Sequence, residues 1–303
     1  MSKTGLPDVA RESAATLQNE AVTLKWVGMQ DIEARILWPH RESGNYFLPA
    51  RAQVQVSLDK GNHRGIHMSR LFLIVQEKLN SRTFSFQLME DILNESLFTH
   101  ADSSQSARLQ INFEIPKIQK SLKSGLSGTR NYPASFEVKN IQGQVQSSIE
   151  LTVLYSSTCP ASAALSRQLM QNHFHESFAQ QNTVSKSSVE QWLLSREGLI
   201  ATPHAQRSWA KIKVQPGPHM GTPEYFENLI DEIEKTLGTP VQSAVKRIDE
   251  QEFARLNGQN MMFCEDAARK LKGHFSSHPQ WKLLSGEVHH VESLHPHEAV
   301  AFF

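Results

Sequence analysis

The stretch Ile149-Glu-Leu-Thr-Val-Leu-Tyr155-Ser-Ser-Thr-Cys159-Pro160 predicts a strand that ends where a helix begins. Apolar residues alternate along it up to Tyr155, which is the period of a half-buried strand. Pro160 suits the first position of a helix, so the Cys159 thiol should lie beside backbone N–H groups that lack partners. A thiol in that position favours the thiolate, which binds metals or attacks substrates. The alternative is a structural cysteine, because free cysteines are among the most buried residues.

The composition limits the kinds of protein that this chain can be. It has 303 residues, enough for one large domain or two smaller ones, and 31 basic residues balance 31 acidic ones. That neutrality argues against nucleic acid or a membrane surface as a partner. The longest aliphatic or aromatic run, Leu71–Val75, is too short to cross a bilayer, and the N-terminal segment lacks a signal-peptide pattern. With two cysteines and no C-x-x-C pair, we expect a cytoplasmic protein.

The first half of the chain predicts six elements in the order strand, strand, helix, helix, strand, strand. Residues 1–20 are expected to form an N-terminal arm, and the unit follows in residues 21–144. Alternating apolar residues predict its strands, and apolar residues at helical spacing predict its helices. The predicted strands cover Val22–Val27, Ala52–Leu58, Leu109–Ile115 and Phe136–Ile141, and the two predicted helices end near Leu79 and Leu97.

The second half, residues 145–303, repeats that order and adds a helical insertion near residues 172–200. Its predicted elements are strands at Gln146–Tyr155, Trp209–Val214, Trp281–Val291 and Glu298–Phe303, and helices at Thr222–Gly238 and Asn260–Leu271. The fold class is therefore α+β, with two tandem ββααββ units whose antiparallel sheets carry helices on one face. Open four-stranded sheets leave edges, so we expect oligomerisation through edge pairing.

Several polar groups could serve as partners for Cys159. The segment Glu287–Glu298 holds four histidines and three carboxylates, including Glu292 and His295, which is the composition of a metal site. Glu265 stands beside core positions of a helix, where a half-buried carboxylate needs a partner or a ligand. A set of thiolate, imidazole and carboxylate suits Zn²⁺, or Mn²⁺ and Fe²⁺ if more carboxylates join. The alternative for the tail is a polar strand face followed by a surface turn.

Three further segments are weaker signals taken one at a time. His63–Arg70 precedes a helix and offers guanidinium, imidazole and hydroxyl groups to an anion, although Ser69 acting as a helix cap explains it almost as well. Val245–Glu250 puts two cations beside two anions, which is typical of a solvated charge cluster at a helix end. His204 lies in a loop before a strand, a common place for a solvated histidine.

Taken in order, these segments resemble the prokaryotic type IB GTP cyclohydrolases, the enzymes that open folate synthesis. The resemblance covers nearly the whole chain and depends on the ordered set of motifs. The motifs are Leu6-Pro-Asp-Val9, Val27-Gly28, Gly65-Ile-His67-Met-Ser-Arg70, Ser157-Thr-Cys159-Pro160-x-Ser162, His204-x-Gln206-Arg207-Ser208, Lys246-Arg247-x-Asp249-Glu250, Glu265-Asp266 and Glu292-Ser-Leu-His295-x-His297. The resemblance implies the tunnelling fold, with two units in each chain, and usually a homotetramer with its active sites at subunit interfaces.

The resemblance also implies a reaction and a metal. GTP and water would give formate and 7,8-dihydroneopterin triphosphate, through a water whose pKa a divalent metal lowers. Cys159, Glu292 and His295 match metal-binding positions, with His204 and Glu250 as further ligands or close neighbours. Cys159 is then a ligand, and the water rather than the sulfur attacks the guanine ring.

For the substrate, the resemblance implies that His204 moves protons and that Glu265 holds the guanine through two carboxylate oxygens. The expected catalytic residues are thus Cys159, His204 and Glu265, and the residues expected to hold the triphosphate are His67, Ser69, Arg70, Lys246 and Arg247. The chain departs from the family in having Ala161 where many relatives have a second cysteine, and Arg64 and Ile66 where Lys and Thr are common. It also carries an insertion between the Cys159 helix and His204.

Three functions are open at this point. The first is a metal-dependent hydrolase that acts on the cyclic amidine C–N bond of GTP. The second is a non-catalytic tunnelling-fold protein that binds a purine or pterin. The third is an enzyme in which Cys159 attacks the substrate directly. The presence of both the thiol and the Glu292–His295 pair favours the first.

Overall fold

The computed structural model describes residues 22–39, 44–60, 63–217 and 223–303, so the arm expected for residues 1–20 lies outside the described residues. One antiparallel sheet of eight strands runs through the molecule in the order β1-β2-β3-β4-β5-β6-β7-β8. The elements are β1 (Leu24–Trp38), β2 (Tyr46–Leu58), α1 (Met68–Ser81), α2 (Phe86–Thr99), β3 (Ser106–Lys120), β4 (Ser127–Ile141), β5 (Gln144–Thr158), α3 (Pro160–Ser177), α4 (Lys186–Leu194), β6 (Ala205–Pro216), α5 (Pro223–Leu237), α6 (Arg247–Gln259), α7 (Cys264–Ser276), β7 (Trp281–His290) and β8 (Ala299–Phe302). No described helix is long and apolar enough to cross a membrane.

The first half has the predicted order of elements, with longer strands. β1 starts within the predicted strand Val22–Val27 but continues well beyond it. β2 starts before the predicted strand Ala52–Leu58, so that Pro49 lies within it, opposite Arg35 of β1. β3 pairs with β2 only from Ala50 onwards, so the missing N–H of Pro49 removes no hydrogen bond on that side.

A tight turn joins the two halves of the sheet. Ile141 at the end of β4 pairs with Gln144 at the start of β5, and Gln142 and Gly143 between them have φ values of 50° and 89°. Positive φ at both central residues matches the twist of a two-residue hairpin. β4 and β5 therefore pair, and the two four-stranded sheets expected from the sequence form one continuous sheet. The expected boundary between residues 144 and 145 falls at the start of β5.

The second half contains more helices than predicted. α3, which follows Cys159, and α4 lie between β5 and β6 and include the segment expected as an insertion near residues 172–200, whereas α5, α6 and α7 all lie between β6 and β7. The helix predicted at Asn260–Leu271 is α7, which begins at Cys264 instead. The sequence predicts only a charge cluster at Val245–Glu250, but Asp249 accepts the Lys246 N–H at 2.8 Å and caps the start of α6. α6 has few apolar residues, so periodicity does not reveal it.

The core lies on one face of the sheet, where alternate strand residues meet α1, α2, α5 and α7. Aromatic rings pack together in the first half, where the Trp38 ring lies 5.6 Å from Phe84 and 5.3 Å from Phe113. Phe226 of α5 enters from the second half, 5.5 Å from Trp38, and Phe136 lies 6.2 Å from Phe226. We call these five residues the aromatic cluster. The two halves therefore share one core.

A buried ion pair also joins the halves. Glu234 of α5 accepts hydrogen bonds from Arg130 and Tyr132 of β4, each at 2.7 Å. Gln119 of β3 donates to its other oxygen at 3.3 Å. All of the strand partners belong to the first half, whereas α5 belongs to the second. The carboxylate is buried, and these donors satisfy it.

Asp249 of α6 makes a second link of this kind. It accepts the backbone N–H groups of Lys123 at 2.7 Å and Ser124 at 2.9 Å, both in the turn between β3 and β4. Burial would raise the pKa of Asp249, but hydrogen bonds from Ser124, Lys246 and Lys123 outweigh it and hold that pKa below the ordinary range of aspartate. The carboxylate therefore stays ionised and fixes α6 to the first half.

Candidate active site

Cys159 lies between the end of β5 and the start of α3, as the sequence predicts. It is the N-cap residue of α3, and its Sγ accepts the Ser162 N–H at 3.5 Å. Its backbone N–H donates to the His204 carbonyl at 3.2 Å, and its side chain is partly exposed. The thiol therefore lies at the positive end of a helix, directly beside the His204 segment. We call this end of the sheet, where β5 stops, the site end.

His204 is held on two sides. Its backbone N–H donates to Ser162 Oγ at 3.1 Å, which fixes the start of β6 against the first turn of α3. Its Nδ1 lies 2.9 Å from Gln206 Oε1. The Gln206 amide nitrogen donates to Ser157 Oγ at 2.9 Å, so the amide oxygen faces His204 and Nδ1 carries the proton. His204 Nε2 then keeps its lone pair, the form that binds a metal or accepts a proton.

Behind His204 lies a buried polar network that no motif in the sequence indicates. Ser157 Oγ and Ser208 Oγ are 2.7 Å apart, and both residues and Gln206 are buried. Beside them, Tyr155 Oη lies 2.8 Å from Nε2 of the buried His290. Burial lowers the pKa of His290 to about 4, so the ring is neutral at pH 7. In the sequence, the signal for this network is the presence of hydroxyl and amide residues at strand positions that face the core.

The predicted metal ligands are partly brought together. Glu292 Oε2 lies 3.7 Å from His204 Nδ1, which adds a carboxylate beside the imidazole. His295 lies farther along the loop after β7 and is exposed, and Glu250 is exposed in the first turn of α6. Across the described ranges, these five residues do not supply three ligand atoms that converge within one chain.

Glu265 comes to the site end through α7. The Met262 N–H donates to the Thr158 carbonyl at 3.2 Å, which places the start of α7 beside the end of β5. The expectation of a half-buried carboxylate is wrong, because α7 begins at Cys264 rather than near Asn260. Glu265 is therefore in the first turn and exposed, and its Oε2 accepts the Cys264 S–H at 3.3 Å. An exposed carboxylate is open to a ligand.

The residues expected to hold the triphosphate lie in two separate places. His67, Ser69 and Arg70 are at the start of α1; His67 is the N-cap residue, so Ser69 does not cap this helix. Arg70 Nη1 donates to the last carbonyl of α2 at 2.9 Å. The register places this region at the end of the sheet opposite the site end, because α1 follows the end of β2, beside the start of β3. Lys246 and Arg247 are exposed at the start of α6.

Known proteins similar to this chain match it over almost its full length. The sequence profile of the type I GTP cyclohydrolase FolE2 family matches residues 6–301. A protein named GTP cyclohydrolase FolE2 from Bdellovibrio bacteriovorus is 46% identical over 301 residues, which are 99% of this chain and 96% of that protein. A protein of the same name from Hydrogenovibrio crunogenus is 42% identical over 296 residues, which are 98% of this chain and 93% of that protein.

Among solved structures, uricase from Arthrobacter globiformis has a similar fold. The two share 6% sequence identity, and the TM-score is 0.52 over 94% of each chain. At that identity the likeness concerns the arrangement of the sheet and helices alone. It agrees with the eight-stranded antiparallel sheet described above.

Proposed function

The chain belongs to the type I GTP cyclohydrolase FolE2 family, and from this membership we propose its reaction. GTP and water give formate and 7,8-dihydroneopterin triphosphate, the first step of tetrahydrofolate biosynthesis. The observation that carries the proposal is the backbone hydrogen bond that joins Cys159 to His204, with Glu292 3.7 Å from the imidazole. It gathers a thiol, a proton acceptor and a carboxylate at the site end, which are groups suited to hydrolysis.

A divalent metal fits this donor set. Sulfur, imidazole nitrogen and carboxylate oxygen together suit Zn²⁺, and also Mn²⁺ or Fe²⁺ when further carboxylates join. Cys159, Glu292 and His295 would hold it, with Glu250 as a further ligand or close neighbour and His204 as a close neighbour whose Nε2 stays free. The metal would supply an activated water as the nucleophile for C8 of guanine. Gln206 positions the His204 ring beside this site, because its amide oxygen faces Nδ1 and leaves the lone pair on Nε2.

The remaining chemistry falls to side chains of the chain itself. His204 would accept and return protons as the ring opens and formate leaves, since Nε2 has a lone pair. Glu292 would stabilise the charged imidazole that forms between those two events. Glu265 would hold the guanine, because its two oxygens match the N1–H and N2 amine donors. Its exposure in the first turn of α7 leaves it accessible to the base.

The position of the residues expected to hold the triphosphate supports active sites that are shared between subunits. β5 has 15 residues, about 45 Å at the rise of a strand, and Cys159 and the start of α1 lie at opposite ends of the sheet. A nucleotide bound at Cys159 is far too short to reach His67, Ser69 and Arg70 of the same chain. In our proposal a neighbouring subunit supplies them, in a cytoplasmic homotetramer with sites at subunit interfaces. Each chain would contribute two tandem tunnelling-fold units.

The α3–α4 insertion offers a surface for such an assembly. Trp192 lies 5.4 Å from Phe174 and 6.3 Å from Phe178, so the insertion has a small aromatic core of its own. It still leaves large aliphatic side chains exposed, namely Leu165, Leu169, Leu193, Leu194, Leu199 and Ile200. Large exposed apolar sets of this kind usually mark an interaction surface. We assign this one to contact between subunits.

The activity is tested by incubating the purified protein with GTP and Zn²⁺, Mn²⁺ or Fe²⁺, and measuring pterin fluorescence after oxidation. We expect pterin from the native protein and a loss of at least about 100-fold for Cys159→Ala or after chelation. His175→Ala, at an exposed residue of α3, is the control and should leave turnover intact. Absence of pterin with every metal would overturn the proposal. GTP binding that survives both treatments without turnover would favour a non-catalytic binder.

Shared sites are tested by complementation between two inactive variants. Cys159→Ala and Arg70→Ala should each lose activity when made alone. If one subunit supplies Cys159 and another supplies Arg70, co-expression should restore part of the activity, because some sites then receive both native residues. Co-expression without recovery would show that each site is built from a single chain. Leu194→Asp should lower the oligomer mass in light scattering.

A further inference from the structure

Away from the candidate active site, one group of side chains has the composition of a metal site. Glu232 lies on α5, His274 lies in the last turn of α7, and His278 follows shortly after that helix. One ligand atom of each residue lies within 4.8 Å of the other two, and all three residues are half-buried. We call these residues the α5–α7 triad. Among the residues that the structure describes, this is the one set of three possible metal ligands whose ligand atoms converge in this way.

The triad is separate from the cyclohydrolase chemistry. α7 leads into β7 at Trp281, which pairs with Pro216 at the end of β6. β6 begins at the site end, where Ala205 pairs with Thr158. The triad therefore lies at the opposite end of this half of the sheet. None of its members is among the residues assigned above to metal or GTP.

Each ring of the triad is already positioned by a neighbour. His274 Nε2 lies 2.8 Å from Glu232 Oε2, and the His274 ring lies edge-on to Phe275 at 4.9 Å. The His278 ring packs on the buried Trp281 with centroids 4.2 Å apart and planes 32° apart. The two imidazole centroids are 5.3 Å apart. The two imidazole rings thus need little reorganisation to bind one metal ion.

The hydrogen bond of His278 also suits a metal ligand. Its Nδ1 accepts the Gln280 N–H at 3.3 Å, a long hydrogen bond. Coordination through Nε2 would move the ring proton to Nδ1 and exchange this bond for a metal–nitrogen bond.

We propose that Glu232, His274 and His278 form a second divalent-cation site, which takes Zn²⁺ and completes its coordination with water. Two imidazoles and one carboxylate are a common zinc ligand set. Tetrahedral Zn²⁺ with bonds of about 2.0–2.1 Å would set neighbouring ligand atoms roughly 3.3 Å apart. The Glu232–His274 contact opens slightly and His278 moves inward to reach that spacing. The ion fastens α5 to the end of α7, and this role does not depend on the reaction proposed above.

Cobalt substitution tests the site separately from the Cys159 site. In the Cys159→Ala protein, Co²⁺ should still bind and give visible bands without the thiolate-to-cobalt charge-transfer band. Adding His278→Ala or Glu232→Gln should weaken Co²⁺ and Zn²⁺ binding by about tenfold or more. His175→Ala, an exposed histidine on α3, is the matched control and should change nothing. Equal binding in the His278→Ala and control proteins would overturn the proposal.

Thermal unfolding gives an independent measurement. Zn²⁺ at 100 times its Kd should stabilise the Cys159→Ala protein by a factor of about 100 in the folding equilibrium, and so raise Tm. The rise should disappear in Cys159→Ala/His278→Ala, while circular dichroism confirms that this variant folds. An unchanged Tm in Cys159→Ala would show that the triad is only an ion pair. GTP turnover is not measured, so failure here leaves the proposed function untouched.

Discussion

The two halves of the sheet use the core face in opposite ways. In the first half the face is filled by rings, with Trp38 5.6 Å from Phe84 and 5.3 Å from Phe113. In the second half the same face ends, at the site end, in the hydroxyl and amide groups of Ser157 and Gln206. Buried polar groups destabilise a fold unless all are hydrogen-bonded, whereas buried aromatic rings need only neighbours of complementary shape. The comparison indicates that packed rings fill the core face of the first half, whereas the second half places hydrogen-bonded polar groups beside Cys159.

The first prediction removes Phe226, the aromatic ring of the second half that packs in the core of the first half. Phe226→Ala should lower the free energy of unfolding by about 4 kcal/mol, because the ring is fully buried in the aromatic cluster. Urea denaturation measures the effect. Phe98→Ala, at a side chain 82% exposed, is the control and should change stability by less than about 0.5 kcal/mol. Equal effects would show that Phe226 is not part of a shared core.

The second prediction removes one partner of the buried ion pair. Arg130→Met should lower the free energy of unfolding by about 3 kcal/mol, because it leaves the Glu234 carboxylate buried without its cation. Chemical denaturation again provides the measurement. Arg255→Met removes an exposed pair with Glu252, so a change below about 1 kcal/mol is expected there. If the two variants lose the same stability, the link between the halves is not important for folding.

The third prediction sharpens the role of the polar network. Gln206→Leu should reduce kcat/KM about 10- to 100-fold, since His204 loses the acceptor that holds the proton on Nδ1. Gln206→Glu keeps an acceptor and should recover part of the activity. The nitrogen chemical shifts of the His204 ring report the tautomer directly. An unchanged tautomer in Gln206→Leu would contradict the assignment.

The smallest expected effect concerns the two cysteines. Burial, together with the Glu265 carboxylate, raises the pKa of Cys264 to about 11, so about one thiol in a thousand is ionised at pH 8. Alkylation at pH 8 should therefore modify the partly exposed Cys159 first, and Cys264 should react only as the pH rises towards 11. Mass spectrometry of the labelled peptides measures both rates. Comparable labelling of both cysteines at pH 8 would contradict the structure.

Much of the fold could be predicted because most elements follow simple periodicity. The alternation at Leu109–Ile115 and the spacing of Phe226, Leu229 and Ile233 identify β3 and α5 from sequence. α6 could not be found in this way, because its position is fixed by the capping bonds of Asp249 rather than by an apolar face. Nor could the pairing of β4 with β5 be deduced, since a glycine such as Gly143 is equally compatible with a hairpin turn and with a boundary between domains.

The candidate site was predictable in its local parts and not in its assembly. The turn at Cys159 followed from Pro160 and the preceding strand, because both act on neighbouring residues. The contact of Glu292 with His204 joins distant segments, and only the resemblance to a family suggested it. The tautomer of His204 depends on the Gln206 side chain, whose orientation a sequence does not contain.

The link through Asp249 has a consequence for how the chain folds as it is synthesised. Lys123 precedes its partner Asp249 by 126 residues, so the turn between β3 and β4 leaves the ribosome long before α6 exists. Until then its N–H groups have only water as a partner, and the first half also lacks Phe226. Contacts that are so distant in sequence form slowly. We therefore expect ribosome-bound chains stalled at residue 144 to be sensitive to protease, and a resistant first half would contradict this.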